Sequence, residues 1–253
     1  MNKLKKFICL ALVICFMVPA VLLLSACGKD PNTAYVSTFD ELVEALTGEK
    51  TTIQLTADIS STKSIIISKK ITLNLNGKTL TGNGYDGVLQ VTTTGDLTIK
   101  GNGKVVAVGG YSEEEVFDAN STAETLKNDE YTYAVWARGG KVLIENGEFS
   151  NTTVKDDEHY DLIYASEIKN KETNETISGE ITILGGKYKN VTPKWTLNIH
   201  DKSQSKIIVK GGEFENYDPA NSKTENPAVS FVADGYKSIL KDGTTDVYVV
   251  VAE

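Results

Sequence analysis

The chain has 253 residues, of which 40 % are hydrophobic and 24 % charged, a mixture that folds around a core and excludes intrinsic disorder. Its 26 basic and 34 acidic side chains give a net charge of -8, or 23 - 34 = -11 without Lys3, Lys5 and Lys6 of a removable leader, which argues against a nucleic-acid partner because phosphate binding needs clustered cations. Arg138, His159 and His200 are its only Arg and His residues, so few acid-base or phosphate mechanisms are open to it.

In chain order, a basic start (Lys3, Lys5, Lys6), an apolar stretch over residues 7–24 and small residues before Cys27 predict a signal peptide over residues 1–26. Leu24-Ser25-Ala26 directly before Cys27 resembles the bacterial lipobox. That resemblance implies a lipoprotein: Cys27 would receive diacylglycerol, become the mature N-terminus and hold the chain on the extracytoplasmic face of the cell membrane. A retained transmembrane helix over residues 7–24 is the poorer reading, given Pro19 and the adjoining Ser-Ala-Cys. Cys9 and Cys15 leave with the leader, so no disulfide can form and stability must come from a core. Residues 27–37 read as the lipidated Cys and a polar spacer, and residues 38–253 as one domain.

Thr38-Phe39-Asp40-Glu41 reads as a capping box, with Phe39, Leu42, Val43 and Leu46 on one helical face and Gly48 as the stop. From Thr51 onward apolar residues alternate, β-branched residues dominate and Gly and Asn punctuate, which predicts strands. Three stretches share one grammar: Val142-Leu-Ile144-Glu-Asn146-Gly147-Glu-Phe149-Ser-Asn151, Ile181-Thr-Ile183-Leu-Gly185-Gly186-Lys-Tyr188-Lys-Asn190 and Ile207-Ile-Val209-Lys-Gly211-Gly212-Glu-Phe214-Glu-Asn216. Looser copies precede them around Gly77 and Gly103, and a short β run lies before each copy, among them Ala134-Val135-Trp136 and Leu162-Ile163-Tyr164. The longer periods hold polar excursions at residues 111–132 and 155–179.

Units too small to bury their own apolar faces must stack, so the expected fold is all-β, a right-handed parallel β-helix with a short N-terminal capping helix. The stretch from Phe39-Asp40-Glu41-Leu42-Val43 through Thr52–Ile59 to Ile71-Thr72-Leu73-Asn74-Leu75-Asn76-Gly77-Lys78 resembles the entrance of pectate-lyase-like β-helix proteins, in which the helix covers the open end of the column. A pair of β-sandwiches is the competing fold, but sandwich strands have no reason to repeat one motif in phase.

The resemblance invites a search for polysaccharide-cleaving chemistry, which needs paired carboxylates and a cation for the uronate, or Ca²⁺ with an Arg base. Asp156-Asp157 is the only Asp-Asp pair, and Arg138 the only Arg, read as a solvated charge where a strand meets a turn. No catalytic residue is therefore assigned, and no cofactor is expected beyond a Ca²⁺ that Asp156, Asp157 and Asp161 of the acidic run could gather. Aromatic residues off the repeat's core position, Tyr85, Tyr111, Tyr131, Tyr133, Trp136, Tyr160 and Trp195, could stack on sugar rings beside Arg138. The expected function is a non-enzymatic envelope module presenting a lateral face to glycan or protein; the alternative is a lyase or glycoside hydrolase acting on acidic polysaccharide.

Overall fold

The computed structural model describes residues 29–61, 63–82, 87–109, 133–153, 160–169, 173–224 and 227–253. Contacts divide the chain into Met1–Thr33 and Ala34–Glu253. In the first unit an Asp30 turn is described, whose carboxylate accepts from Asn32 N at 2.9 Å and Thr33 Oγ1 at 2.9 Å. The predicted signal peptide and Cys27 lie outside the described residues.

The second unit is all-β apart from one α-helix, α1 (Phe39–Thr47), and a 3₁₀ turn at Pro193–Trp195 among the described residues. Thr38 caps α1, its side chain accepting from Glu41 N at 3.2 Å. Glu41 accepts chiefly from the Ser37 amide and hydroxyl and to a lesser degree from the Thr38 backbone, as in a reciprocal box, and those bonds hold its carboxyl below the usual carboxylate range. Of the expected apolar face, Leu42 is buried and Phe39 and Leu46 pack against the core, whereas Val43 is 41 % exposed.

Three sheets carry the strands. The first contains β1 (Thr33–Val36), β2 (Thr52–Leu55), β5 (Lys70–Asn74), β8 (Asp96–Lys100), β11 (Lys141–Ile144), β15 (Glu180–Ile183) and β18 (Lys206–Val209) in that spatial order. The second runs from β3 (Ile59–Ser61) through β6 (Thr79–Gly82), β9 (Lys104–Ala107), β12 (Glu148–Asn151), β16 (Lys187–Asn190) and β19 (Glu213–Glu215) to β21 (Val247–Ala252) and β20 (Tyr236–Leu240). The third holds β4 (Ile65–Ile67), β7 (Leu89–Val91), β10 (Val135–Arg138) and β13 (Ile163–Lys169), with β17 (Leu197–Ile199) and β14 (Thr176–Ser178) both on β13. From β2 to β19, β14 apart, consecutive strands are thus dealt to the three sheets in turn and pair in parallel within each sheet, whereas the pairings of β14, β20 and β21 are antiparallel. Each period thus contributes one strand to each of the three sheets.

Register follows the repeat. Ile53, Leu73, Ile99, Ile144, Ile183 and Val209 form one buried row of the first sheet. In the second sheet Ile59, Leu80, Val105, Phe149, Tyr188 and Phe214 line up, and the last three rings stack at 5.3 and 4.7 Å with interplanar angles of 8° and 10°. The turn before this row takes positive φ at Gly147, Gly186 and Gly212 (129°, 100° and 109°), a region closed to residues with a Cβ, which explains the Gly at that phase of the motif.

Facing away from the core, Lys70, Asp96, Lys141, Glu180 and Lys206 occupy one row of alternating sign, with Lys70–Asp96 at 3.4 Å and Lys141–Glu180 at 3.8 Å. The second sheet repeats the device with Lys104, Glu148, Lys187 and Glu213, where Lys104–Glu148 is 2.9 Å and Glu213 also meets Lys241 at 2.8 Å. Parallel pairing places equivalent residues side by side, so a row of one sign would repel itself and alternation removes that cost.

Candidate functional site

The outward face of the third sheet has a different chemistry. On β7, β10 and β13 the residues Leu89 and Val91, Val135 and Ala137, and Ile163 and Ala165 belong to the core, so the alternate positions point away from it. Those positions are Gln90, Trp136 and Tyr164, neighbours in register, with Ile66 on one side and Asn198 on the other. Two residues along, Arg138 lies opposite Ser166.

Tyr133 joins this face from just before β10. Its carbonyl accepts from Val88 N at 2.7 Å, and the approach is possible because Gly87 has no side chain: a Cβ there would sit 2.8 Å from the Tyr133 oxygen. The Tyr133 ring stacks on Tyr164 at 4.9 Å and 11°, while Trp136 lies tilted against both at 5.2 and 5.9 Å. Trp136 Nε1 donates to Ser166 Oγ at 2.8 Å, which fixes the indole. The Arg138 guanidinium carbon lies 5.3 Å from the Trp136 ring centroid, a cation–π arrangement. Gln90 is fully buried although it points away from the core, and its Oε1 and Nε2 have no hydrogen-bond partner among the described residues. An amide shut away with neither end bonded costs free energy, so Gln90 is a strained point of this face and not a contact open to a ligand.

A second polar cluster sits where the second sheet hands the chain to the third. Asn151 at the end of β12 donates to the Asp161 carbonyl at 3.1 Å and accepts from Thr153 N at 3.0 Å. One cycle on, Asn190 donates to the Tyr160 carbonyl and accepts from Thr192 N. In these two cycles the Asn that closes the repeat therefore ties down backbone of its own turn and of the neighbouring segment. Thr192 Oγ1 both donates to the Tyr160 carbonyl at 2.8 Å and accepts from Tyr160 N at 3.0 Å. Asp161 is only 3 % exposed; Asn198 Nδ2 donates to its Oδ1 at 3.1 Å, and burial, outweighing that bond, pushes its carboxyl up to about 7.

Of the sequence-predicted residues, Tyr133, Trp136 and Arg138 come together on the third sheet. Arg138 is not the solvated charge its place at a strand end suggested, being 8 % exposed beside the indole. Tyr160 is buried in the corner cluster, and Trp195 is half-buried in the 3₁₀ turn with Lys194 Nζ 4.6 Å from its ring centroid. Tyr85, Tyr111, Tyr131, Asp156 and Asp157 lie outside the described residues. Among the described residues no group of three or more His, Cys, Asp or Glu side chains is placed to hold a metal ion, and the Asp161 carboxyl is held toward its neutral form. Sequence reasoning missed Gln90, Tyr164, Ser166 and Asn198. A signal for Tyr164 existed, because the runs Ala134-Val135-Trp136 and Leu162-Ile163-Tyr164 place it level with Trp136. Compared with known protein families, curated proteins and solved structures, the chain matches none of them.

Proposed function

We propose that the chain is an exported, lipid-anchored module of the bacterial cell envelope that binds glycan or protein on the outward face of its third sheet and catalyses no reaction. In this reading the three sheets are the faces of one right-handed parallel β-helix of pectate-lyase-like architecture. Cyclic dealing of strands to three parallel, in-register sheets supports the winding, and the strong right-handed preference of parallel crossovers supports its hand. The basic, apolar and small-residue order ending at Cys27 supports export and lipidation.

One observation carries the binding role. One outward row in each of the first two sheets is neutralised by alternating Lys and Asp or Glu, whereas an outward row of the third is aromatic and amide, with Trp136, Tyr164, Gln90 and Asn198 in register and Arg138 beside them. Ring faces and a guanidinium are groups that recognise sugar rings and their substituents, and a glycan would reach them through half-exposed Tyr164, since Gln90 is fully buried and Trp136 and Arg138 are each 8 % exposed. The test is to incubate the full chain in detergent micelles with polygalacturonate and a panel of envelope glycans, with and without Ca²⁺. Retention of a glycan without new unsaturated or reducing ends is expected, weakened about tenfold or more by Arg138→Gln, roughly the worth of one good polar contact. New chain ends would replace this reading with a lyase or hydrolase, and no retention of any glycan would remove the carbohydrate role.

A further inference from the structure

The second sheet stops its parallel stacking at an antiparallel hairpin, and among the described residues no strand pairs with its last strand, β20, on the far side. The hairpin's own bonds show which groups face outward. Lys241 N donates to Val247 O at 2.8 Å and Glu253 N to Gly235 O at 3.0 Å, and the register pairs Ile239 with Val249 and Lys237 with Val251. In an antiparallel ladder bonded pairs alternate, so Lys237 and Ile239 bond β21 while Tyr236, Ser238 and Leu240 turn their N–H and C=O groups to the open edge. Tyr236 N is already used, donating to Ala233 O at 3.1 Å. Ile239 and Leu240 are 43 % and 44 % exposed, and the Ser238 hydroxyl is buried with no partner among the described residues.

We propose that β20 is a self-complementary edge on which a second copy of this chain docks, β20 against β20 antiparallel about a two-fold axis through Ser238. The inference is independent of the glycan reading. A strand that pairs with itself in this way matches residues whose numbers sum to twice 238, and every outward-facing residue then meets another: Ser238 meets Ser238, and Leu240 meets Tyr236. Each Ser238 N–H donates to the other copy's Ser238 carbonyl, and each Leu240 N–H to the other copy's Tyr236 carbonyl. Side chains agree with the same register. At the axis small Ser238 meets small Ser238, so no bulky side chain keeps the two strands apart. Exposed Leu240 falls beside the Tyr236 ring, exposed Ile239 beside the methylene stem of Lys237, and Lys241 opposite Gly235, where no side chain competes for room. Lys237 also serves as a gatekeeper: a foreign strand without an apolar residue opposite it would be left with an unmatched cation at the edge, so the edge selects its own sequence.

The test is sedimentation equilibrium of the full chain in density-matched detergent micelles at about 100 µM, enough to populate a complex with a Kd of about 10 µM. Twice the chain's mass is expected. Two variants read the register. Ile239→Lys sets a cation opposite Lys237 of the other copy, and Ser238→Pro removes the outward donor without touching a bond to β21. Both are expected to be monomeric with the wild-type circular dichroism spectrum. Should the proline variant misfold, Ile239→Lys, at an exposed side chain, carries the comparison alone. Amide exchange gives a second readout: Ser238 and Leu240 should slow as concentration rises, with Lys237 and Ile239 unchanged. A monomeric wild type, a dimer that persists in the folded variants, or edge amides that slow only when another protein is added would each overturn self-pairing.

Discussion

Asp161 carries the most consequential single side chain. It occupies the corner between β12, β16 and β17, takes one hydrogen bond from Asn198, and holds its proton up to about 7 because burial penalises the charged form. An unfolded chain releases the same proton near 3.8, so between those two values the folded chain binds more protons than the unfolded one. Stability from this group is therefore complete below about 3.8, falls as pH rises and is lost once pH passes about 7, a change of about 4 kcal/mol. Asp161→Asn keeps an oxygen for Asn198 to donate to and cannot ionise. Urea unfolding from pH 4 to 8 should show the difference between wild type and this variant growing with pH, the variant being the more stable at pH 8. A difference that does not change with pH would mean that the carboxyl is solvated. From sequence the residue was the last member of an acidic run, and nothing in the spacing of Asp156, Asp157, Glu158 and Asp161 says which carboxylate the fold encloses.

At the scale of one element, the Phe149–Tyr188–Phe214 stack does for the second sheet what aliphatic rows do for the first. Tyr188 is the central ring, buried on both faces, and its hydroxyl donates to the Gly185 carbonyl at 2.8 Å; burial pushes its pKa well above the usual phenol value. Tyr188→Ala should cost about 3–5 kcal/mol by leaving a cavity between two rings. Tyr188→Phe keeps the stack and should cost about 1 kcal/mol for the unmet carbonyl. Denaturant unfolding of the two variants separates the contributions, and equal losses would mean that the hydroxyl, not ring packing, holds the turn. The aromatic phase was legible in the sequence because three copies repeat it. Less legible was a further corner, before β8, β11 and β15, where Gly95, Gly140 and Gly179 let the chain pass so close to the preceding cycle that a Cβ would meet its carbonyl oxygens at 2.3, 2.5 and 2.1 Å. Ser205 takes that place before β18 and accepts from Gly179 N at 3.1 Å. Unequal excursions between the copies pull these small residues out of alignment in the sequence, and only the pairing of strands restores it.

For the whole molecule, the alternating charge rows act on register. Each exposed pair is worth at most about 1 kcal/mol, so the rows add little to stability. Their effect lies in the alternatives they oppose, since a slip by one cycle would set Lys beside Lys along two faces at once. Asp96→Lys creates three like charges in succession with Lys70 and Lys141. It should lower stability by about 1 kcal/mol at low salt and by much less at 1 M salt, where the Debye length is about 3 Å. Thermal unfolding at the two ionic strengths checks this, and a salt-independent loss would point to damaged packing instead.

What the sequence determined by itself was the all-β class, the one α-helix among the described residues with its Thr38 cap, and the phase of the repeat: Val142, Ile181 and Ile207 do lie side by side, as do Phe149, Tyr188 and Phe214. Those features are local or periodic, and a motif that recurs in phase states its own register. Tertiary structure alone decided which outward residues are covered. Trp136, Arg138 and Gln90 alternate out of the core as Thr72 and Thr98 do, yet they are buried and those threonines are half-exposed. The same holds for Asp161 and for the open edge of β20: burial and edge position depend on which strand ends up beside which, and alternation within one strand carries no record of that.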